Sequence, residues 1–183
     1  MSETLILVNE QNRAIGQAEK AVVHAAGLLH RAFSIFLVDA SGQLLLQRRS
    51  RAKYHSAGLW ANSCCGHPRP RESTLRAARR RLGEELGAEA PLRYAFQARY
   101  CTKLRNGLTE NELVYVYFGL TPLKLVPNPD EVSGMTRMSL PALRADIARR
   151  PHRYTYWLRY YLKNHFKAIE RGLADIRARD SSD

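Results

Sequence analysis

The sequence predicts an α+β fold, built as an α/β sandwich. Three observations predict it. Short apolar runs of strand length recur through the chain, one amphipathic helix stands among them, and the C-terminal third has helical spacing. Thr4–Val8 reads as a strand, and Asn9 to Gly16 as a turn and hairpin return. Residues 21–30 show no clear period. Arg31–Val38 and Gln43–Arg48 flank an Asp39–Gly42 turn and form the clearest hairpin. Ser50–Gly58 is a loop. Trp60–Cys65 is a short strand leading into the Gly66–Arg71 loop.

Ser73–Leu86 is a helix, with Glu72 and Ser73 at its start, Gly87 as its stop and Leu75, Ala78, Leu82 and Leu86 as its apolar stripe. Tyr94–Cys101 and Glu112–Leu120 are strands separated by the polar segment 102–111, and Val132–Met138 is another. Ser139 caps a helix over Leu140–Arg149. Tyr156–Ile176 reads as one long helix through Leu158, Tyr161, Leu162, Phe166, Ile169, Leu173 and Ile176.

A chain of 183 residues fits one domain, 1–183, with a full core and a frayed tail over 177–183. No apolar run is long enough to span a bilayer, and no signal peptide is visible, so a cytoplasmic protein without a membrane partner is expected. Three cysteines, two of them the adjacent Cys64 and Cys65, argue for reduced thiols. The net charge of +12 is mostly arginine scattered along the chain, with no nucleic-acid-binding signature. It reads as steering of an anionic small molecule rather than nucleic-acid binding. No exposed apolar stripe speaks for assembly, so a monomer is expected.

The chemistry concentrates between Asn62 and Ala88, where Gly66, Glu72, Arg80, Leu82, Glu84, Glu85 and Gly87 stand in register. Arg81 and Glu85 are four apart on a helix and share a face; only one of Glu84 and Glu85 is expected to point with Arg81. A carboxylate facing a loop suits Mg2+, which prefers oxygen ligands and bridges to substrate phosphates. A neighbouring Arg suits a diphosphate oxygen. The plain alternative is a surface helix with ordinary ion pairs. Glu110 and Glu112, in the run TENE, share a strand face. With His24, His30 and His67 they suit a divalent metal such as Mn2+ or Zn2+. Each His alone is more simply a hydrogen-bonding residue, and His55, His152 and His165 are read that way. Cys65 lies in a Gly/His loop near cations, where a thiolate forms more easily. Cys64 and Cys101 are read as packing.

The Gly66–Gly87 pattern resembles the Nudix box, with Arg81 where that box has a glutamate. Together with WANSCCGHP from Trp60 to Pro68 and TENE, it resembles the type 1 isopentenyl-diphosphate delta-isomerases over nearly the whole chain. The resemblance implies a Nudix-like mixed β-sheet flanked by helices, with a C-terminal helical extension. It implies Cys65 and Glu112 as the catalytic pair, and His24, His30, His67, Glu110 and Glu112 around one Mn2+- or Zn2+-type metal. It also implies Glu85 on Mg2+ with the substrate's diphosphate, Lys20, Arg49, Lys53 and Arg81 on that diphosphate, and Tyr100 and Trp157 at the hydrocarbon end. The substrate would be a homoallylic or allylic diphosphate. The His24–His30 interval is slightly shorter than the pattern of that family. The alternative activity is Nudix hydrolysis of a nucleoside diphosphate derivative. It needs several helix carboxylates to gather metal and activate water, and Arg81 removes one.

Overall fold

The computed structural model describes residues 3–104 and 106–180. The strands are β1 (Thr4–Val8), β2 (Ala14–Glu19), β3 (His30–Val38), β4 (Leu44–Arg49), β5 (Trp60–Ala61), β6 (Cys64–Gly66), β7 (Arg93–Lys103), β8 (Thr109–Leu120) and β9 (Val132–Met138). The helices are α1 (Lys20–Ala26), α2 (Thr74–Leu86), α3 (Leu140–Arg149), α4 (Tyr156–Asn164) and α5 (Phe166–Asp180). This is the expected α+β arrangement, a mixed sheet flanked by helices.

β3 organises the sheet. It runs parallel to β8 from His30 opposite Glu112 to Val38 opposite Leu120, and antiparallel to β6 with Ser34 opposite Cys65. A strand with neighbours on both edges and helices on both faces must be apolar throughout. Its alternate residues supply two cores. Ala32, Phe36 and Val38 join Val114, Val116 and Phe118 of β8 beneath Leu158, Tyr161 and Ile169 of α4 and α5. Phe33, Ile35 and Leu37 pack on Ala77, Ala78, Leu82 and Leu86 of α2. The period of two fixes which side chains share the first face: His30 and Ser34 on β3, Cys65 on β6, Tyr100 on β7, Glu110 and Glu112 on β8.

Four sequence expectations change. Residues 20–26 form α1, whose left-handed Gly27 (φ 65°) closes the helix against Thr109 and turns the chain within a few residues into β3. The hairpin of β3 and β4 pairs only at Val38 and Leu44; β4 then diverges to pair with β9 and β5. The strand expected over Trp60–Cys65 is interrupted at Asn62 and Ser63, whose side chains bond the backbone of Ile35, Leu37 and Leu45. The long C-terminal helix is two helices. His165 leaves helical geometry (φ −127°, ψ 23°) and stacks on Phe96, with ring centroids 5.2 Å apart. The apolar period continues across the break because α4 and α5 serve the same core, which hides the break from a periodicity argument. α5 runs to Asp180, and of the tail expected over 177–183 residues 181–183 lie outside the described residues. Among the described residues no helix is long and apolar enough to cross a membrane.

The α5 backbone approaches the sheet at Gly172, where an added Cβ would meet the Phe118 ring at 2.7 Å. Gly172→Ala is therefore expected to destabilise the protein by about 1–3 kcal/mol through overpacking, read from the urea midpoint. An unchanged midpoint would show that α5 is not seated as described.

Candidate functional site

The first face of the sheet ends in a cavity of about 630 Å³, lined by residues of β3, β6, β7, β8, α2, α4 and the loop 50–59. Its inner wall is a buried cluster of imidazoles and carboxylates. His24 projects from α1, and its Nδ1–H donates to the Lys20 carbonyl at 2.8 Å. His30 opens β3, and its Nδ1–H donates to the Leu28 carbonyl at 2.9 Å. A carbonyl only accepts, so in the neutral rings each Nε2 carries a lone pair. Those lone pairs face carboxylate oxygens: His24 Nε2 lies 3.4 Å from Glu110 Oε2, and His30 Nε2 lies 3.5 Å from Glu112 Oε1. His67 Nε2 is 2.9 Å from the same Glu112 oxygen.

Both lone-pair nitrogens, and Glu110 Oε2, are buried without a hydrogen-bond partner. Buried electron-rich atoms brought this close need a proton or a cation between them. Ligand atoms of His24, His30, His67 and Glu112 all lie within 4.8 Å of one another, as do those of His24, His55 and Glu110. The donor set, neutral imidazoles with carboxylates, fits a divalent cation. Of the five residues expected at the metal, His24, His30, His67 and Glu112 converge, and Glu110 adjoins them through His24. The tight Gly27 turn absorbs the short His24–His30 interval. His55, read from sequence as an ordinary surface histidine, is the addition, with Nε2 3.2 Å from Glu110 Oε1. It sits in an irregular loop, where no periodicity points to it.

Electrostatics separates the two carboxylates. Burial works against the charge of Glu112, yet the hydrogen bond from His67 and the neighbouring His30 imidazole hold its carboxyl well below the usual range. Burial and the neighbouring Glu112 push Glu110 up. Burial pushes His67 down to about 4, so at neutral pH it donates as a neutral imidazole. Burial likewise pushes His55 down to about 2. Tyr100, expected only as a wall of the hydrocarbon end, donates its hydroxyl to Glu112 Oε2.

Cys65 lies on β6 across β3 from β8. Its thiol donates to Asn62 Oδ1 at 3.3 Å and touches Ser34 Oγ at 3.3 Å, and Ser34 in turn bonds the Tyr161 hydroxyl at 2.9 Å. The expected thiolate is not what the surroundings favour. Burial pushes the Cys65 thiol up to about 12, and Glu85 and Glu112 add to it. Cys64 faces the second core and is fully buried, as expected. Cys101, expected to pack, is exposed on β7.

The cavity also gathers cations. Lys20, Arg49, Lys53 and Arg81 all line it, with Arg69 and Arg80. Lys20 pairs with Glu3 at 2.7 Å, and Lys53 pairs with Glu131; neither acid stood out in the sequence, because each lies far along the chain from its partner. Arg81 pairs with Glu84 at 2.7 Å, with Glu85, and with Glu131 at 3.1 Å. It therefore engages both neighbouring helix acids, not the one expected. Glu85 is 4% exposed and also accepts from Gln47 Nε2 at 2.9 Å. Glu72 and Arg80 have a separate task. Their two bonds, 2.8 and 2.9 Å, tie the loop before α2 onto the helix. Trp157, in the first turn of α4, is both core and wall: it is 4% exposed, lines the cavity, and has the Arg49 guanidinium 5.3 Å from its ring.

A loop clamped to a helix by Glu72 and Arg80, on a mixed sheet between helical layers, defines a Nudix-type protein. The NUDIX domain family model matches residues 28–158. A crystal structure of a Deinococcus radiodurans protein superposes with a TM-score of 0.67 at 26% identity, over 80% of this chain and 90% of that one. A MutT Nudix hydrolase from Burkholderia pseudomallei, at 23% identity and TM-score 0.56 over 74% of this chain and 96% of its own, shares the fold. Within the Nudix family, the chain belongs to the isopentenyl-diphosphate Delta-isomerases. It is 50% identical to isopentenyl-diphosphate Delta-isomerase 1 of Aromatoleum aromaticum over 86% of this chain and 89% of that one. It is 47% identical to isopentenyl-diphosphate Delta-isomerase 2 of Photorhabdus laumondii over 95% and 94%.

Burial, against the pull of Glu85, and repulsion from Arg49, Arg81 and Lys20 bring Lys53 down to about 8. Its charge is full below that pH and is lost above it. Pyrophosphate affinity should therefore fall in the wild type relative to Lys53→Arg as pH rises through this range. The ratio of the two affinities cancels the ligand's own titration and should grow by up to roughly tenfold per pH unit. A ratio flat with pH would contradict the depressed lysine.

Proposed function

We propose that the protein interconverts isopentenyl diphosphate and dimethylallyl diphosphate, an isoprenoid-forming step. The observation that carries this reading is the placement of Cys65 and Glu112 on strands flanking β3, lining one cavity that Lys20, Arg49, Lys53 and Arg81 also line. Moving the C=C bond requires a proton delivered to the terminal methylene carbon. Another must leave the methylene next to the diphosphate-bearing carbon, and the intermediate is a tertiary carbocation. Two groups are needed on different sides of a small flat substrate, one loaded with a proton and one free to take one. Cys65 holds its proton because it is buried, and Glu112 holds its charge because His67, His30 and Tyr100 surround it. In the reverse direction the two exchange roles.

Lys20, Arg49, Lys53 and Arg81 bind the diphosphate and so anchor the substrate away from the reacting carbons. Trp157 faces the cation, a contact worth about 2 kcal/mol or more when desolvated, and Tyr100 holds Glu112 in place. The walls of α4 and the sheet exclude water, which would capture the carbocation. His24, His30, His67, Glu110 and Glu112 would hold a divalent metal, Mn2+ or Zn2+, which supplies charge that orients Glu112 and tunes its proton affinity. Glu85 would hold Mg2+ together with the substrate's own oxygens. Hydrolysis is the weaker reading, because Arg81 stands where a further helix carboxylate would be needed to gather metal for water activation. We place the protein in the cytoplasm as a monomer, in keeping with its three free thiols.

Incubation with isopentenyl diphosphate and Mg2+ in heavy water, followed by NMR, should give the dimethylallyl isomer with deuterium incorporated. Release of phosphate or pyrophosphate without isomerisation would contradict the proposal. Cys65→Ala should lower kcat by at least about a hundredfold, and Cys64→Ala should retain turnover. Equal rates in both variants would refute the choice of thiol.

A further inference from the structure

Glu110 is 2% exposed, and its two oxygens look in different directions. Oε2 lies 3.4 Å from His24 Nε2 and has no hydrogen-bond partner. Oε1 lies 3.2 Å from Nε2 of His55. His55 comes from neither α1 nor the sheet, but from the loop between β4 and β5. That loop holds it firmly. Its ring stands edge-on to Tyr54 at 4.4 Å and to Trp157 at 6.1 Å, and its carbonyl accepts from Arg49 at 3.2 Å.

A carboxylate oxygen only accepts, so a nitrogen facing it this closely is a donor or shares a cation with it. The placement of the ring favours the donor. His24, His30, His67 and Glu112 converge without His55. His55 meets Glu110 at Oε1, whereas Oε2 is the oxygen that faces His24. Carboxylates that bind metals are themselves commonly oriented by an outer hydrogen bond.

We infer that His55 is a positioning residue of the metal centre: its Nε2–H holds Glu110 Oε1, so that Oε2 stays aimed at His24 and the metal. This rests on the metal site of the proposed function. It also gives the loop two tasks, because Lys53 on the same loop lines the cavity.

The test uses Mn2+ as probe on the full chain, with wild type, His55→Ala and His55→Gln compared. Mn2+ affinity is measured by chelator competition, and coordinated imidazole nitrogens are counted by pulsed electron paramagnetic resonance. His55→Ala should weaken Mn2+ binding about 10–100-fold. His55→Gln, which keeps an N–H donor, should recover most of that loss. The count of imidazole nitrogens should be the same in all three.

Unchanged affinity in His55→Ala overturns the inference. So does a glutamine variant as weak as the alanine one, which would mean simple packing. Loss of one imidazole nitrogen in His55→Ala also overturns it, by making His55 a ligand. A wild type that takes up no Mn2+ removes the metal site itself and this inference with it, an outcome distinct from a loaded wild type with an equally loaded alanine variant.

Discussion

Three imidazoles and two carboxylates meet in a buried space where the lone pairs of His24 and His30 face carboxylate oxygens. Left uncompensated, that arrangement opposes folding, because buried charge and unpaired polar atoms are costly. The chain nevertheless commits several elements to it. α1 ends on a left-handed glycine to deliver His24, and β3 begins with His30 opposite Glu112 of β8. β6 runs out into the loop that carries His67. A shared cation would make these commitments mutually favourable, and it would also fix the face on which Glu112 meets the cavity.

The remainder of the site combines two kinds of group in that cavity. Burial and hydrogen bonds favour a protonated thiol at Cys65 and an ionised carboxylate at Glu112. Lysines and arginines line the same cavity, partnered by Glu3, Glu84, Glu85 and Glu131. An arriving diphosphate would compete with those acids for the same cations. Arg81 explains how a Nudix helix serves a different chemistry. It stands where a further helix carboxylate would be needed, leaving fewer oxygens to assemble metals around an attacking water.

Much of this was legible in the chain. β1, β9 and α3 have the bounds that period and capping give, because each has a clear local signal in TLILV, VSGMTRM or Ser139. Cys65, Glu110, Glu112, Glu85 and Arg81 stood out by spacing, and the cavity brings them together. Other features depend on partners distant in sequence. The break at His165 follows from stacking on Phe96, and the partners of Lys20 and Lys53 lie elsewhere in the chain. Cations near Cys65 in sequence suggest a thiolate, whereas burial in space favours the thiol. His55 had no periodic neighbour to mark it.

The central claim is that one divalent cation holds the imidazole–carboxylate cluster together. Anomalous diffraction from crystals of the protein as purified, collected at the zinc and manganese edges, tests it most directly. The account predicts a single strong peak between His24, His30, His67, Glu110 and Glu112. No peak there in well-ordered crystals, with the same side chains closed on one another, would contradict it.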